Sequence, residues 1–177
     1  MQELHKWSGL RLEIAEYCRD NRVSEEDFRF LGIYEWRNVY DKVLEYFVDE
    51  QYARRSELYW SNIMNGFKKD INRIYSFEVG GDGYASYRWI EKLPEIVKLE
   101  KVYLLLEEDE QGVKYWIAEC NPSVVHQIIN EAIYLEDYYI TDKKFKWLIT
   151  QNHHDIVHFI GEGLDVNVIK TVCMVAD

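Results

Sequence analysis

A chain of 177 residues with 47% hydrophobic and 30% charged residues has the balance of a globular protein, which excludes an intrinsically disordered chain. Its formal net charge is −11, from 32 acidic and 21 basic residues, and no local run of lysine and arginine offsets it, so we expect no nucleic-acid partner. No apolar run approaches the ~20 residues that span a bilayer, and we expect no membrane partner.

Cysteine usage and the N-terminal sequence indicate the cellular compartment of the protein. The three cysteines, Cys18, Cys120 and Cys173, are odd in number and far apart, and none forms a CxxC pair. Such residues are typical of reduced, buried thiols. The first seventeen residues, MQELHKWSGLRLEIAEY, are charged and periodic where a signal peptide would be continuously apolar. These features predict a cytoplasmic protein.

Helical periodicity dominates residues 1–73. We predict an amphipathic helix over the first twenty residues, and a short helix beginning at Ser24, where a hydroxyl and three acidic residues resemble a helix start. The clearest pattern comes next and predicts a helix with an apolar face made of Trp36, Val39, Tyr40, Val43, Leu44 and Phe47. A further helix is predicted from near Ser56 to Ile71.

Strand patterns begin after residue 73. "IYSFEV" (74–79) alternates and ends in "GGDG", and "VYLLLEE" (102–108) and "VKYWIAE" (113–119) flank the hairpin loop "DEQG". Asn121-Pro122 predicts a helix start, and this helix should run to about Asp137. "DYYIT", "FKWLIT" and "DIVHFIG" predict a three-stranded meander, and "VNVIKTVCMV" is β-prone, as an edge strand or a tail.

This order of elements predicts the α+β class, with N-terminal helices followed by a mainly antiparallel sheet and one crossing helix. In the absence of a repeat or a linker we expect one domain over 1–177, with a mainly helical part at 1–73 and a sheet-containing part at 74–177.

The histidine-rich stretch at 152–158 has the strongest chemical signal in the chain. His153, His154, Asp155 and His158 could form a metal or acid-base site, or bind a partner, or lie in a hairpin turn in which Asn152 and Asp155 bond to nearby backbone. Strand alternation predicts that His154 and His158 share a face and that His153 points away. We therefore favour the turn, with no metal site and no catalytic residue.

Acidic and aromatic residues supply the other candidate binding groups. The run Glu107, Glu108, Asp109 and Glu110 is interpreted as a solvated hairpin tip, or as part of an acidic face for a basic partner that would include Glu131, Glu136 and Asp137. Tyr138 and Tyr139, with Phe145 and Trp147 in the adjoining strand, can stabilise the sheet as cross-strand pairs. Outward-facing members of this set would be binding anchors.

Two resemblances accompany these patterns. Residues 102–163 resemble an uncharacterised family of small bacterial cytosolic proteins whose shared arrangement "YYI…KK…WL…NHHD…G" corresponds here to Tyr138, Tyr139, Ile140, Lys143, Lys144, Trp147, Leu148, Asn152, His153, His154, Asp155 and Gly161. The layout is also similar, more distantly, to the SUKH (SMI1/KNR4-like) immunity proteins. That resemblance implies an acidic α+β protein that binds a toxin domain.

Taken together, these observations predict a non-enzymatic bacterial protein-binding module without a cofactor, an immunity-like inhibitor of a basic toxin domain. Its binding residues would come from His153, His154, Asp155, His158, Glu107, Glu108, Asp109, Tyr138 and Tyr139. Two alternatives stay open. One is a small enzyme or ligand- or metal-binding domain that uses the histidine cluster, and the other is a structural domain that forms a homodimer.

Overall fold

A seven-stranded antiparallel sheet organises the computed structural model, which describes residues 9–53, 67–68, 73–79, 87–108, 114–133 and 135–173. In chain order the strands are β1 (Phe28–Phe30), β2 (Arg73–Glu78), β3 (Val102–Glu108), β4 (Lys114–Cys120), β5 (Leu135–Thr141), β6 (Trp147–Gln151) and β7 (Ile156–Gly161). Their order in the sheet is β1-β4-β3-β5-β6-β7-β2. The two earliest strands therefore form its two edges.

Helices cover both faces of this sheet. The described helices are α1 (Gly9–Asp20), α2 (Ile33–Phe47), α3 (Glu50–Ala53), α4 (Leu93–Val97), α5 (Pro122–Glu131) and α6 (Val166–Cys173), and a 3₁₀ helix at Tyr87–Lys92 leads into α4. In the described part of the chain, no helix is long and apolar enough to cross a membrane.

Strand alternation gives the sheet two separate apolar cores. On the first face, Leu104, Leu106 and Ile140 pack with side chains of α1, α4, α5, α6 and the 3₁₀ helix. On the second face, Leu105, Ile117 and Leu148 pack with Val39, Val43 and Phe47 of α2. We call these the α1 face and the α2 face.

The α+β class, the N-terminal helix, the helix around residues 36–47, the hairpin of β3 with β4 and the β5–β6–β7 meander are confirmed. The predicted crossing helix is α5, which begins as expected. Asn121 is its N-cap and accepts a hydrogen bond from the backbone N–H of Ser123 at 3.0 Å.

Near Ser24, the prediction of a helix is wrong. Ser24 Oγ accepts from the backbone N–H of Asp27 at 3.1 Å, but this cap belongs to a turn that leads directly into β1. Phe28 then pairs with Cys120, and Phe30 with Ala118, of β4. Pairing with an exposed sheet edge overrides the local helix signal here, and it places a strand in the part predicted to be mainly helical.

Two further boundaries differ from the sequence prediction. Helix α5 ends at Glu131 and not near Asp137, because residues from Leu135 onward pair with β3. The β-prone C-terminal segment contains a helix, α6, in which Ile169 and Cys173 lie one turn apart and are both buried on the α1 face. The predicted helix from Ser56 and the loops "GGDG" and "DEQG" lie outside the described residues, except that Phe67 forms a β-bridge with Val48.

Candidate functional site

Most of the residues singled out in the sequence meet at one end of the sheet. This end comprises the C-terminal end of β3, the start of β5 and the turn between β6 and β7. We call residues 152–155 the histidine turn. Asp109 lies outside the described residues, and Glu131 lies apart, exposed at the end of α5.

The histidine turn is shaped by Asn152 and Asp155, as turn chemistry predicts. Asn152 is buried, and its Oδ1 accepts from the backbone N–H of His154 at 3.0 Å and of Ile156 at 2.9 Å. Asp155 adopts the left-handed conformation with φ 58°, which aspartate tolerates better than most residues. The turn therefore has a defined backbone that presents two histidines to the surface.

Both histidines of the turn point the same way, so the predicted separation of His153 from His154 is wrong. Their ring centroids lie 4.1 Å apart. The backbone N–H and the Nδ1 of His153 contact the same oxygen, Oδ1 of Asp137, at 2.8 and 3.0 Å, and Nδ1 also lies 3.2 Å from Oε1 of Glu136. An ionised carboxylate only accepts hydrogen bonds, so we assign the proton to Nδ1.

The buried carboxylate of Asp137 holds His153 in place beside His154. Its side chain is 2% exposed against 40% for His153, so its predicted place on an exposed acidic face is wrong. Burial raises the pKa of the Asp137 carboxyl, while the hydrogen bonds and charge of His153 act in the opposite direction. The arrangement is a buried carboxylate that orients a surface imidazole.

Glu107 lies beside Asp137 on the same face, and it too is buried. Tyr115 donates to its Oε2 at 2.9 Å and Tyr139 approaches the same atom at 3.4 Å. Burial raises the pKa of Glu107 to about 7, and the nearby charge of Asp137 adds to the rise, whereas the two tyrosine hydroxyls oppose it. A solvated hairpin tip, the preferred interpretation of the sequence, is wrong for this residue.

Glu108 and Tyr138 face the other way, towards α1. Glu108 is 3% exposed and accepts from Trp116 Nε1 at 3.0 Å and from the backbone N–H of Leu10 at 3.1 Å, so it too is not part of a solvated tip. The hydroxyl of Tyr138 donates to Oε1 of Gln151 at 2.6 Å. Tyr138 and Tyr139 are 4% and 1% exposed, which places both inside the protein and not at a binding surface.

A row of polar side chains crosses the α2 face behind the histidine turn. Tyr139 pairs with Thr150, Thr150 with His158, and His158 with Ser76, so the four side chains are direct neighbours on β5, β6, β7 and β2. Ser76 Oγ lies 2.7 Å from Nδ1 of His158, which is 4% exposed. His158 is therefore a buried residue and does not join the other two histidines at the surface.

Chemically, this end of the sheet offers a surface imidazole pair above buried carboxyls. Within the described residues, no group of three or more His, Cys, Asp or Glu side chains is arranged to hold a metal ion. The raised pKa of Glu107 would suit a general base, but the carboxyl is 6% exposed and lies under two tyrosine hydroxyls. A reactant would reach it only if those side chains moved.

Replacing Asn152 by alanine tests the construction of the turn. We expect the variant to lose about 2 kcal/mol of unfolding free energy, because two backbone N–H groups lose their buried acceptor. Urea unfolding measures the effect. The control is Asn38→Ala at an exposed position of α2, which should change stability by less than about 0.5 kcal/mol. Equal effects of the two substitutions would contradict the role given to Asn152.

At the other end of β6, five lysines lie around one groove, and the sequence did not predict that they would meet. Lys98 and Lys101, from the segment after α4, lie with Lys143, Lys144 and Lys146 of the β5–β6 turn around one groove. More than forty positions separate the two segments in the sequence. The register of β3 and β5, where Tyr103 pairs with Thr141, brings them together.

These features define an α+β protein with a single described antiparallel sheet, a histidine turn at one end and a lysine-lined groove at the other. Residues 6–171 match DUF6756, a family of unknown function, and the chain belongs to that family. No curated protein and no solved structure matches the chain.

Proposed function

We propose that this protein is a non-enzymatic binding module that recognises a basic protein partner through the histidine turn. The observation that carries the proposal is the pair of surface imidazoles, His153 and His154, whose rings are in contact above the buried carboxylate of Asp137. A site for partner recognition needs exposed groups held in place from below, and this arrangement supplies both.

The fixed geometry of His153 favours recognition over a passive turn. Two hydrogen bonds to one oxygen of Asp137 hold its backbone and ring together, and the ring of His154 lies against it. Side chains that are already ordered lose little conformational entropy when a partner binds. His153 and His154 therefore resemble the rigid, amphipathic anchors on which protein interfaces depend.

Charge around the turn supports a basic partner. The segments 102–108, 135–141 and 147–161 contain no lysine or arginine, and their partly exposed carboxylates are Glu136 and Asp155, since Glu107, Glu108 and Asp137 are buried. Glu78, on the neighbouring edge strand, is exposed opposite Ile156. The whole chain carries a net charge of −11, and a field of one sign accelerates association with partners of the opposite sign.

The likeness to SUKH immunity proteins supports a finer proposal, that the partner is a basic toxin domain and the protein its cytoplasmic inhibitor in a bacterium. Inhibition would follow from occupation of the toxin's surface, since the two exposed histidines act by contact and not by reaction. This finer proposal rests on the likeness alone, whereas the choice of the histidine turn rests on its geometry.

The test is calorimetric titration with each basic protein encoded by genes that flank the protein's own gene, at low and at physiological ionic strength. We expect one of them to bind, with an affinity that falls as salt rises. The variant His153→Ala/His154→Ala should weaken binding by roughly tenfold or more, the effect of losing one or two interface anchors. Light scattering of the protein alone distinguishes partner binding from a homodimer.

The matched control is Ile33→Ala/Tyr34→Ala at the start of α2. These two side chains are 74% and 92% exposed and form an alternative apolar contact surface. Unchanged binding by this control together with weakened binding by the histidine variant supports the proposed site. Loss of binding in the α2 variant alone would refute the site, and the absence of binding by every flanking basic protein would refute the partner class.

A further inference from the structure

The groove beside the start of β6 is positively charged, although the protein as a whole is acidic. Its volume is about 610 Å³. Five lysines, Lys98, Lys101, Lys143, Lys144 and Lys146, line it together with three carboxylates, so its formal charge is +2 in a chain with a net charge of −11. We call it the lysine groove. The five residues of β6 separate it from the histidine turn by roughly 17 Å, since a strand rises about 3.4 Å per residue.

The β5–β6 turn that carries three of these lysines is ordered by a buried carboxylate. Asp142 is 6% exposed, and its Oδ1 accepts from the backbone N–H of Lys146 at 2.6 Å, while its Oδ2 accepts from that of Lys144 at 3.3 Å. Thr141 Oγ1 donates to the carbonyl of Trp147 at 2.7 Å. The carboxylate of Asp142 is thus occupied by backbone N–H groups and held back from the surface.

Phe145 anchors the same turn from the α2 face. It has φ 54°, a left-handed conformation that is unusual for a bulky residue and that the surrounding packing must hold. Its ring stacks with those of Tyr46 and Tyr103, at centroid distances of 5.8 and 5.9 Å. Lys144 and Lys146 flank Phe145, and both are exposed. Their side chains therefore extend from a constrained backbone.

The lysines of the groove differ in whether they form an ion pair. Lys143 is ion-paired with Glu119 at 2.7 Å. Among the residues that the structure describes, none forms such a pair with the other four lysines of the groove. Of the remaining lining carboxylates, Glu100 and Glu162 are both exposed to solvent, where their charge is screened.

We propose that the lysine groove binds a small phosphorylated molecule that also carries an apolar or planar group. Ammonium groups from two segments of the chain can surround a phosphate, because lysine acts as a mobile point charge. Val97, Leu99 and Trp147 give the groove an apolar lining, and Leu99 is 43% exposed. The volume lies within the range of about 300–1,000 Å³ that is usual for small-ligand sites. This proposal is independent of the partner proposed for the histidine turn.

The experiment is titration calorimetry of the full chain with ATP and with inorganic pyrophosphate, both without added magnesium, at low salt. We expect ATP to bind at one site and pyrophosphate to bind more weakly, because it lacks the planar group. In the variant Lys144→Gln/Lys146→Gln, ATP binding should weaken by roughly fivefold to tenfold, as expected when two exposed charge pairs are lost. Thermal unfolding of the free variant confirms that its fold is retained.

The matched control removes two exposed lysines outside the groove, in the variant Lys92→Gln/Lys170→Gln. It has the same net charge as the groove variant and should bind ATP like the natural chain. Equal weakening in both variants would show diffuse attraction and overturn the site. Failure of both probes to bind, pyrophosphate binding as tightly as ATP, or tighter binding of a single-stranded oligonucleotide than of ATP would overturn the proposed class of ligand.

Discussion

Replacing Glu107 by glutamine is expected to make the protein about 2 kcal/mol more stable at pH 8 and about 1 kcal/mol less stable at pH 4.5. Burial raises the pKa of Glu107 from 4.5 to about 7 in the folded protein. The fold therefore favours the protonated carboxyl. Glutamine is neutral at every pH, and its side-chain oxygen can still accept from Tyr115.

The direction of the pH effect follows from that rise in pKa. A carboxyl whose pKa is higher in the folded than in the unfolded chain contributes its full stability below the unfolded pKa, and this contribution is lost as pH rises through the folded pKa. For Glu107 the window runs from 4.5 to about 7. A shift of this size corresponds to about 3 kcal/mol, and the loss of a partner for the glutamine N–H₂ reduces the expected gain to about 2 kcal/mol.

Urea unfolding of both proteins at pH 4.5, 6 and 8 measures this difference. The control is Glu45→Gln, which removes a carboxylate from an exposed position of α2 and should change stability by less than about 0.5 kcal/mol at every pH. If the Glu107 variant and the natural chain lose stability in parallel between pH 4.5 and 8, Glu107 is ionised at no cost in the fold and the burial argument is wrong.

Local patterns predicted the elements in this chain better than they predicted its site. The helical face from Trp36 to Phe47 and the alternation in β5, β6 and β7 are properties of short windows, and the structure confirms them. The helix predicted at Ser24 and the edge strand or tail predicted from Val166 onward were wrong. In the first case a sheet edge supplies a pairing partner for Phe28, and in the second burial of Ile169 and Cys173 favours a helix.

The site was harder to predict because it depends on register. Glu107 and Asp137 look like surface residues in the sequence, since burial of a carboxylate requires donors that only strand pairing brings close, here Tyr115 and His153. The histidine turn itself was visible from Asn152 and Asp155. The lysine groove was not, because Lys101 and Lys143 become neighbours only when β3 pairs with β5.

Replacing Gly161 by alanine is expected to destabilise the protein by about 3 to 5 kcal/mol, the largest effect of any change considered. Gly161 ends β7 opposite Trp147, with φ 101°, a conformation that residues with a Cβ rarely adopt. An added Cβ would overlap the carbonyl oxygen of Lys146 and lie 2.7 Å from Cα of Trp147. Both contacts are with backbone, so neither can be relieved by rotating a side chain.

Gly163→Ala is the matched control, because it separates backbone conformation from contact. Gly163 also has a positive φ, 90°, but a Cβ there would meet no atom within 4 Å, so only conformational strain of about 1 kcal/mol is expected. Thermal and urea unfolding of the two variants provide the comparison.

The carbonyl of Lys146 also accepts from the backbone N–H of Glu162 at 2.8 Å, so the Gly161 variant should lose order at the lysine groove first. Faster amide hydrogen exchange in residues 142–147 than in the histidine turn would show this loss of order. Equal destabilisation by the two alanine variants would instead mean that the close approach of β7 to Lys146 does not determine which residues fit at position 161.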